Sequence, residues 1–344
     1  MTPGFKLLAN GRDITSDVVA RGAIVEWSDT VDEGSDSMTV TVADHDNLVA
    51  VPKAGVKVEL SAGYDGALQK AGTFYVSETE IEGPPERVTI QATSAPVTAA
   101  NGQSIAARSS KSWEDTTLGD IAQSIAGKLG VSASVDKELA AVQITNEQQV
   151  DQSDTDFLLR LVRRHGGFLK FAQERMVIAK EGSGTSTSGK ALTVTLMRSD
   201  VSRWSVRAGG KRAAIQKVKM KVHDYETGET SEVEADVPKS GSIGDFGVSQ
   251  AGSGNYTPVT FTGPNPFAKV EDAQKAAKTT AARLARSSRS FELDLPGRLD
   301  IVAGGKVTLA GFREGVNGEW LVKSVRHRID SSGWSMSVEG EGSA

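Results

Sequence analysis

The chain predicts a mainly β protein with an α+β middle domain, in which two antiparallel β-barrels are duplicated within one chain. Three observations carry this. Period-two hydrophobic runs separated by Gly- and Pro-containing breaks fill residues 1–95. A helical period replaces them over 96–181. Strand patterns then return, and those of the last 50 or so residues repeat those of the beginning.

The first region alternates cleanly. Met38, Val40 and Val42 share one face of a strand, as do Val56, Val58 and Leu60. Phe74 with Val76 and Val88 with Ile90 continue the pattern, with breaks at 63–66 and at Gly83-Pro84-Pro85. Short strands at this spacing suit a small barrel or sandwich. In the second region Thr117 and Asp120 have capping-box spacing, Leu118, Ile121, Ile125 and Leu129 form one stripe, and Gly130 ends it. A second helix opens at Ser153 with Asp156 three residues on. Its apolar face is Phe157, Leu158, Leu161 and Val162. Its last turn is basic, as the helix dipole favours, and Gly166-Gly167 stops it. Two short strands should follow, 168–172 and 176–179.

GSGTSTSG at 182–189 reads as a flexible connector. Val218, Met220 and Val222 then alternate with Lys217, Lys219 and Lys221. Residues 240–266 read as a long loop, and 270–289 as an Ala-rich helix. The domains expected are a first barrel at 1–95, a middle domain at 96–181, a second barrel from 182–235 and 290–344, and a loop-plus-helix insertion at 236–289. The two barrels show self-similarity. Lys57-Val58-x-Leu60 matches Lys306-Val307-x-Leu309. Gly72-Thr73-Phe74-Tyr75-Val76 matches Gly318-Glu319-Trp320-Leu321-Val322, and Val88-x-Ile90 matches Met336-x-Val338.

Composition narrows function. The 344 residues carry 39 Lys plus Arg against 44 Asp plus Glu, a net charge of −5, which argues against a dedicated nucleic-acid binder. No apolar run approaches the roughly 20 residues that span a bilayer, and the N-terminus lacks the pattern of a secretory signal. There are no cysteines and four histidines: His45, His165, His223 and His327. His165 sits at a helix end, and His327 lies in an exposed-looking basic triplet with Arg326 and Arg328. Asp151, Asp154 and Asp156 could be paired carboxylates or a cation site. The helix signal that follows favours a dipole and capping role instead. Glu78, Glu80 and Glu82 share one face of a strand, either a solvated face or an acidic wall along a lumen. The lysine stripe at 217–221 is a docking face for an acidic partner or a solvated, edge-protecting face. Trp27, Trp204 and Trp320 lie in strand patterns and are expected in cores. No phosphate loop, dinucleotide fingerprint, nucleophile elbow or zinc-protease motif is present. The reading is therefore no enzyme, with no catalytic residue, cofactor or metal site expected.

Several stretches together resemble the phage late-control protein D family, the baseplate hub proteins of contractile tails and tail-like bacteriocins. They are NGRDITSDV (10–18), SDSMTVTVAD (35–44), the helix start at 113–121, and above all QSDTDFLLRLVRRHGGFL (152–169). GFREGVNGEWLVKSVRHRID (311–330), followed by Gly333-Trp334, is similar to the family's C-terminus. The resemblance implies a homotrimer in which each chain contributes two tube-like barrels, so that a sixfold tail tube meets a threefold central spike. It implies a tail tube protein and a tape-measure protein as partners, no membrane, no specific nucleic acid, and a place in a virion or particle baseplate assembled in the host cytoplasm. Ending after the second barrel, the chain is expected to use a separate spike protein. Glu78, Glu80 and Glu82 are the candidate lumen-facing residues. The rival readings are a tail-associated peptidoglycan hydrolase and a generic β-rich binding module.

Overall fold

In the computed structural model, residues 2–31, 34–96, 102, 104–208, 215–223, 227–238, 259–263, 266–267 and 269–342 are described. The chain opens with β1 (Pro3–Ala9), β2 (Arg12–Asp13), α1 (Thr15–Val19), β3 (Ile24–Thr30), β4 (Ser37–Ala43), β5 (Lys57–Tyr64), β6 (Ala67–Glu82) and β7 (Arg87–Thr93). Leu7, Val25, Trp27, Met38, Val40, Leu60, Phe74, Val76 and Val88 from these strands converge on one core. Tyr64, at one side of these strands, stacks on Trp334, which lies on a strand past their other side, with ring centroids 5.2 Å apart, so the sheet is curled. The alternating apolar residues drive this, since each buried Leu, Val or Phe contributes about 1.5–3 kcal/mol.

The middle segment holds β8 (Arg108–Thr117), α2 (Leu118–Leu129), β9 (Ser132–Val135), α3 (Lys137–Ala140), β10 (Gln143–Ser153), α4 (Asp154–Arg164), β11 (Gly167–Ala172) and β12 (Arg175–Lys180). Both expected caps are present. The Thr117 hydroxyl accepts from the Asp120 N–H at 3.1 Å, and the Ser153 hydroxyl from the Asp156 N–H at 3.1 Å. Gly130 takes a left-handed φ of 74° and ends α2. The apolar stripes of α2 and α4 pack with Leu169, Met176 and Ile178 in a separate core.

After it come β13 (Thr193–Met197), β14 (Arg203–Ala208), β15 (Ile215–His223), β16 (Thr230–Asp236), β17 (Val259–Thr262), α5 (Val270–Arg286), β18 (Arg289–Pro296), β19 (Lys306–Ala310), β20 (Gly318–Asp330) and β21 (Gly333–Gly342). Three expectations are corrected here. β15 and β16 do not join the second barrel, as the 182–235 boundary required. They form a three-stranded sheet with β17. Its buried Val218, Met220 and Val222 lie against Ala273, Ala276, Ala277 and Ala281 of α5. The small alanine face lets the helix approach closely, so sheet and helix make one unit. The expected loop at 240–266 contains β17, while 240–258 and 264–265 lie outside the described residues. The 182–189 connector is also held in place: the Thr187 and Ser134 hydroxyls are 2.7 Å apart, and the Leu192 N–H donates to the Gly184 carbonyl at 2.8 Å.

The two barrels are not separate closed objects. β3 pairs antiparallel with β20, Thr30 opposite Ser324 through Val25 opposite Ile329. One 13-stranded sheet results, ordered β14-β18-β21-β20-β3-β4-β7-β6-β5-β1-β2, with β19 beside β20 and β13 beside β19. Within it a six-strand order occurs twice. β3-β4-β7-β6-β5-β1 corresponds to β14-β18-β21-β20-β19-β13, in the same chain order. Register repeats as well: Val58 faces Phe74 as Val307 faces Trp320. The β6–β7 ladder shifts between Val76 and Glu78, and the β20–β21 ladder between Val322 and Ser324. The first strand differs, since β1 runs antiparallel to β5 and β13 parallel to β19.

Candidate functional site

In an antiparallel ladder, directly opposed residues share a face, so the register traces whole rows across the sheet. Glu78 lies opposite Gln91, Gln91 opposite Thr39, Thr39 opposite Glu26, and Glu26 opposite Arg328. A neighbouring row runs Thr93, Ser37, Ser28, Arg326, Ser337 and Asp294. Opposite the apolar cores the sheet thus presents hydroxyls and charges. A concavity of about 760 Å³ lies on this face, lined by Glu26, Ser28, Arg326, Arg328, Ser335 and Ser337 among others. Its fixed contacts are ionic: Arg328 reaches Glu26 at 2.6 Å and Asp330 at 2.7 Å, and Arg326 reaches Glu339 at 2.9 Å.

Glu78, Glu80 and Glu82 are exposed on this polar face, away from the core. The register places Arg326 and Arg328 on the same face, so its charge is mixed rather than uniformly acidic. On its other edge β6 is held by β5 to Tyr75 and by Gly55 and Val56 at Val76; beyond Val76 its backbone pairs only with β7 among the described residues, which leaves that edge open over these glutamates.

His327 contradicts the exposed basic triplet. It is 5 % exposed and stacks on Trp27 with ring centroids 4.5 Å apart. Strand alternation sends it inward while Arg326 and Arg328 point outward. Burial lowers its pKa to about 4. His165 is also held below its ordinary pKa, by burial and by Arg164. Trp27 and Trp320 are buried in cores, and half-buried Trp204 packs edge-on against Phe312.

The Asp151–Asp156 cluster is structural. Arg108 pairs with Asp151 at 3.1 Å, and Ser153 donates to Asp156 at 2.8 Å. Asp154 accepts from Gln149 at 2.8 Å and Lys128 at 2.9 Å. Burial opposes its charge, but those bonds hold its pKa below the usual value. The lysine stripe is paired across strands: Lys217 lies 3.1 Å from Glu234, and Lys219 2.9 Å from Glu234. Among the described residues no group of three or more His, Asp or Glu could hold a metal ion.

Sequence reasoning passed over the junction of the three regions. Lys170 on β11 donates to Asp29 on β3 at 2.5 Å, and the Ala303 N–H donates to the same carboxylate at 2.9 Å. Burial and the Asp29 charge push the Asp36 pKa well above the carboxylate range. Burial disfavours the Lys170 ammonium, but Asp29 and Asp36 outweigh it and keep its pKa raised. A lysine inside an apolar strand, FLKFA, was the available signal.

A twice-used strand order, two cores under one sheet and a polar wall opposite them define a structural β-protein built on a repeated sheet unit. The comparisons agree. The model of the phage tail baseplate hub family matches residues 35–333, and the chain belongs to that family. It is 29% identical to the probable baseplate hub protein of Escherichia phage P2, over 99% of this chain and 93% of that protein. Similar solved structures include the 43 kDa tail protein of prophage MuSo2 from Shewanella oneidensis (TM-score 0.70, 16% identity, 98% of each chain). The tail protein of Neisseria meningitidis MC58 has a TM-score of 0.69 and 12% identity over 99% of this chain and 97% of that one. The protein is a structural baseplate hub component of phage virion type.

Proposed function

We propose that the chain acts as a non-enzymatic homotrimeric adaptor between a sixfold tail tube and a threefold central spike. The observation that supports this most is the repeated strand order with its shared register and shared ladder shift. Two like units per chain give three copies six like units, which matches a sixfold neighbour while keeping threefold symmetry at the other end. The partners are a spike protein, a tail tube protein and a tape-measure protein. The polar face carrying Glu78, Glu80 and Glu82 lines the lumen in this reading. Hydroxyls and charges of both signs give a passing polymer no apolar surface to adhere to.

Native mass spectrometry and negative-stain imaging of the purified chain test the reading, with a trimer of sixfold-looking rings expected. A monomer that stays monomeric when mixed with spike and tube proteins overturns it. A lysis band on a peptidoglycan zymogram overturns the non-enzymatic part.

A further inference from the structure

The β3–β20 junction joins the first unit of the chain to the second, and the repeat defines what the next junction would look like. Trp27 lies opposite Met38, Met38 opposite Ala92, and Ala92 opposite Val76. In the second unit Val206 lies opposite Phe291, Phe291 opposite Gly340, and Gly340 opposite Val322. Val76 and Val322 each sit just before their ladder's shift, so Val206 is the counterpart of Trp27. Likewise Ile81 faces Val88 as His327 faces Met336, so Ile81 is the counterpart of His327. Inside the chain, His327 lies opposite Trp27. Applied once more, the same rule sets Ile81 opposite Val206.

Both strands have the edge to do this. Among the described residues β14 pairs only with β18; on β6 the Val76 N–H and carbonyl still bond Val56 and Gly55 and the Thr79 hydroxyl donates to the Pro52 carbonyl, and beyond Val76 the β6 backbone pairs only with β7. The residues suit each other. Ile81 points toward the core side yet is 61 % exposed, which a covering strand would remedy. The same register sets Glu80 opposite Arg207, Thr79 opposite Ala208 and Glu82 opposite Ser205. The existing junction also carries a cross-strand ion pair, one position to the other side of its His327–Trp27 pair: Arg328 on β20 against Glu26 on β3. Open edges of this kind are satisfied by another chain.

We propose that the β6 edge from Thr79 to Glu82 pairs antiparallel with β14 of a second copy of this chain, with Ile81 opposite Val206 and Glu80 opposite Arg207. This rests on the trimeric reading and names the contact that closes the ring. The cysteine-free sequence makes the test direct. The double variant Ile81→Cys/Val206→Cys, oxidised in the full-length chain, is expected to give a covalent ladder ending at a trimer. The offset variant Ile81→Cys/Ala208→Cys should give about tenfold less, because a disulfide tolerates only a narrow Cα separation. Glu80→Arg and Arg207→Glu should each weaken assembly, and their combination should restore it, an outcome general misfolding would not produce. A ladder absent from the first variant, or equal in both, overturns the pairing. A native trimer lacking the cross-link removes this edge and leaves the hub reading standing. A chain monomeric under all conditions counts against both.

Discussion

The second halves of β6 and β20 occupy the same place in the repeat and meet different fates. On β20, His327 is covered by β3 and stacks on Trp27, and Arg328 finds Glu26. On β6, Ile81 is bare and Glu80 and Glu82 face solvent. The same ladder shift leads into both segments. The difference is therefore made by the neighbour, not by the strand. The covered copy shows what the bare copy is shaped to receive.

The covered side should break hardest. Trp27→Ala removes the ring under His327 from a core where Trp27 is 5 % exposed, and should cost about 3–5 kcal/mol in urea unfolding. Acid should come next. His327 takes a proton near pH 6.5 when unfolded but only near 4 when folded. The unfolded state therefore binds more protons between those values, and the stability from keeping the ring neutral is lost as pH falls through that window. The loss should reach about 3 kcal/mol by pH 4, and His327→Phe should remove that part of the pH dependence. Arg328→Ala deletes an exposed pair and should cost below about 1 kcal/mol in the same assay. Ile81→Ser should be smallest, within about 0.5 kcal/mol for the isolated chain. If Ile81→Ser destabilises the monomer as much as Trp27→Ala, the bare segment is covered after all and the comparison fails.

Local features were legible in the sequence because local physics makes them. Thr117, Ser153 and Gly130 cap or end helices through bonds within a few residues. The Lys57/Lys306 and Gly72/Gly318 matches fall on equivalent registers because alternation and the ladder shift are written into each hairpin. What escaped is non-local. Arg328 meets Glu26 across 302 positions, and no periodicity encodes that. His327 was misread because two arginines flank it, although parity alone places it on the opposite face. The Val218–Met220–Val222 pattern predicts a strand but not its sheet. Only the alanine face of α5 decides that, and it lies more than 50 residues further on. Asp29, Asp36 and Lys170 belong to different segments, so their junction had no motif.

The pairing of β3 with β20 also sets a timetable. Residues 24–30 leave the ribosome early, and their partner at 324–329 follows only after about 300 more have been added. At 5–20 residues per second, the edge carrying Trp27 waits roughly 15–60 s for its neighbour. Through that interval the nascent first unit is a sheet with an unguarded flank, open to whatever strand arrives first. Ribosomes spaced along one message would bring several such flanks close together, where one bare flank can pair with another before its own partner strand has been made.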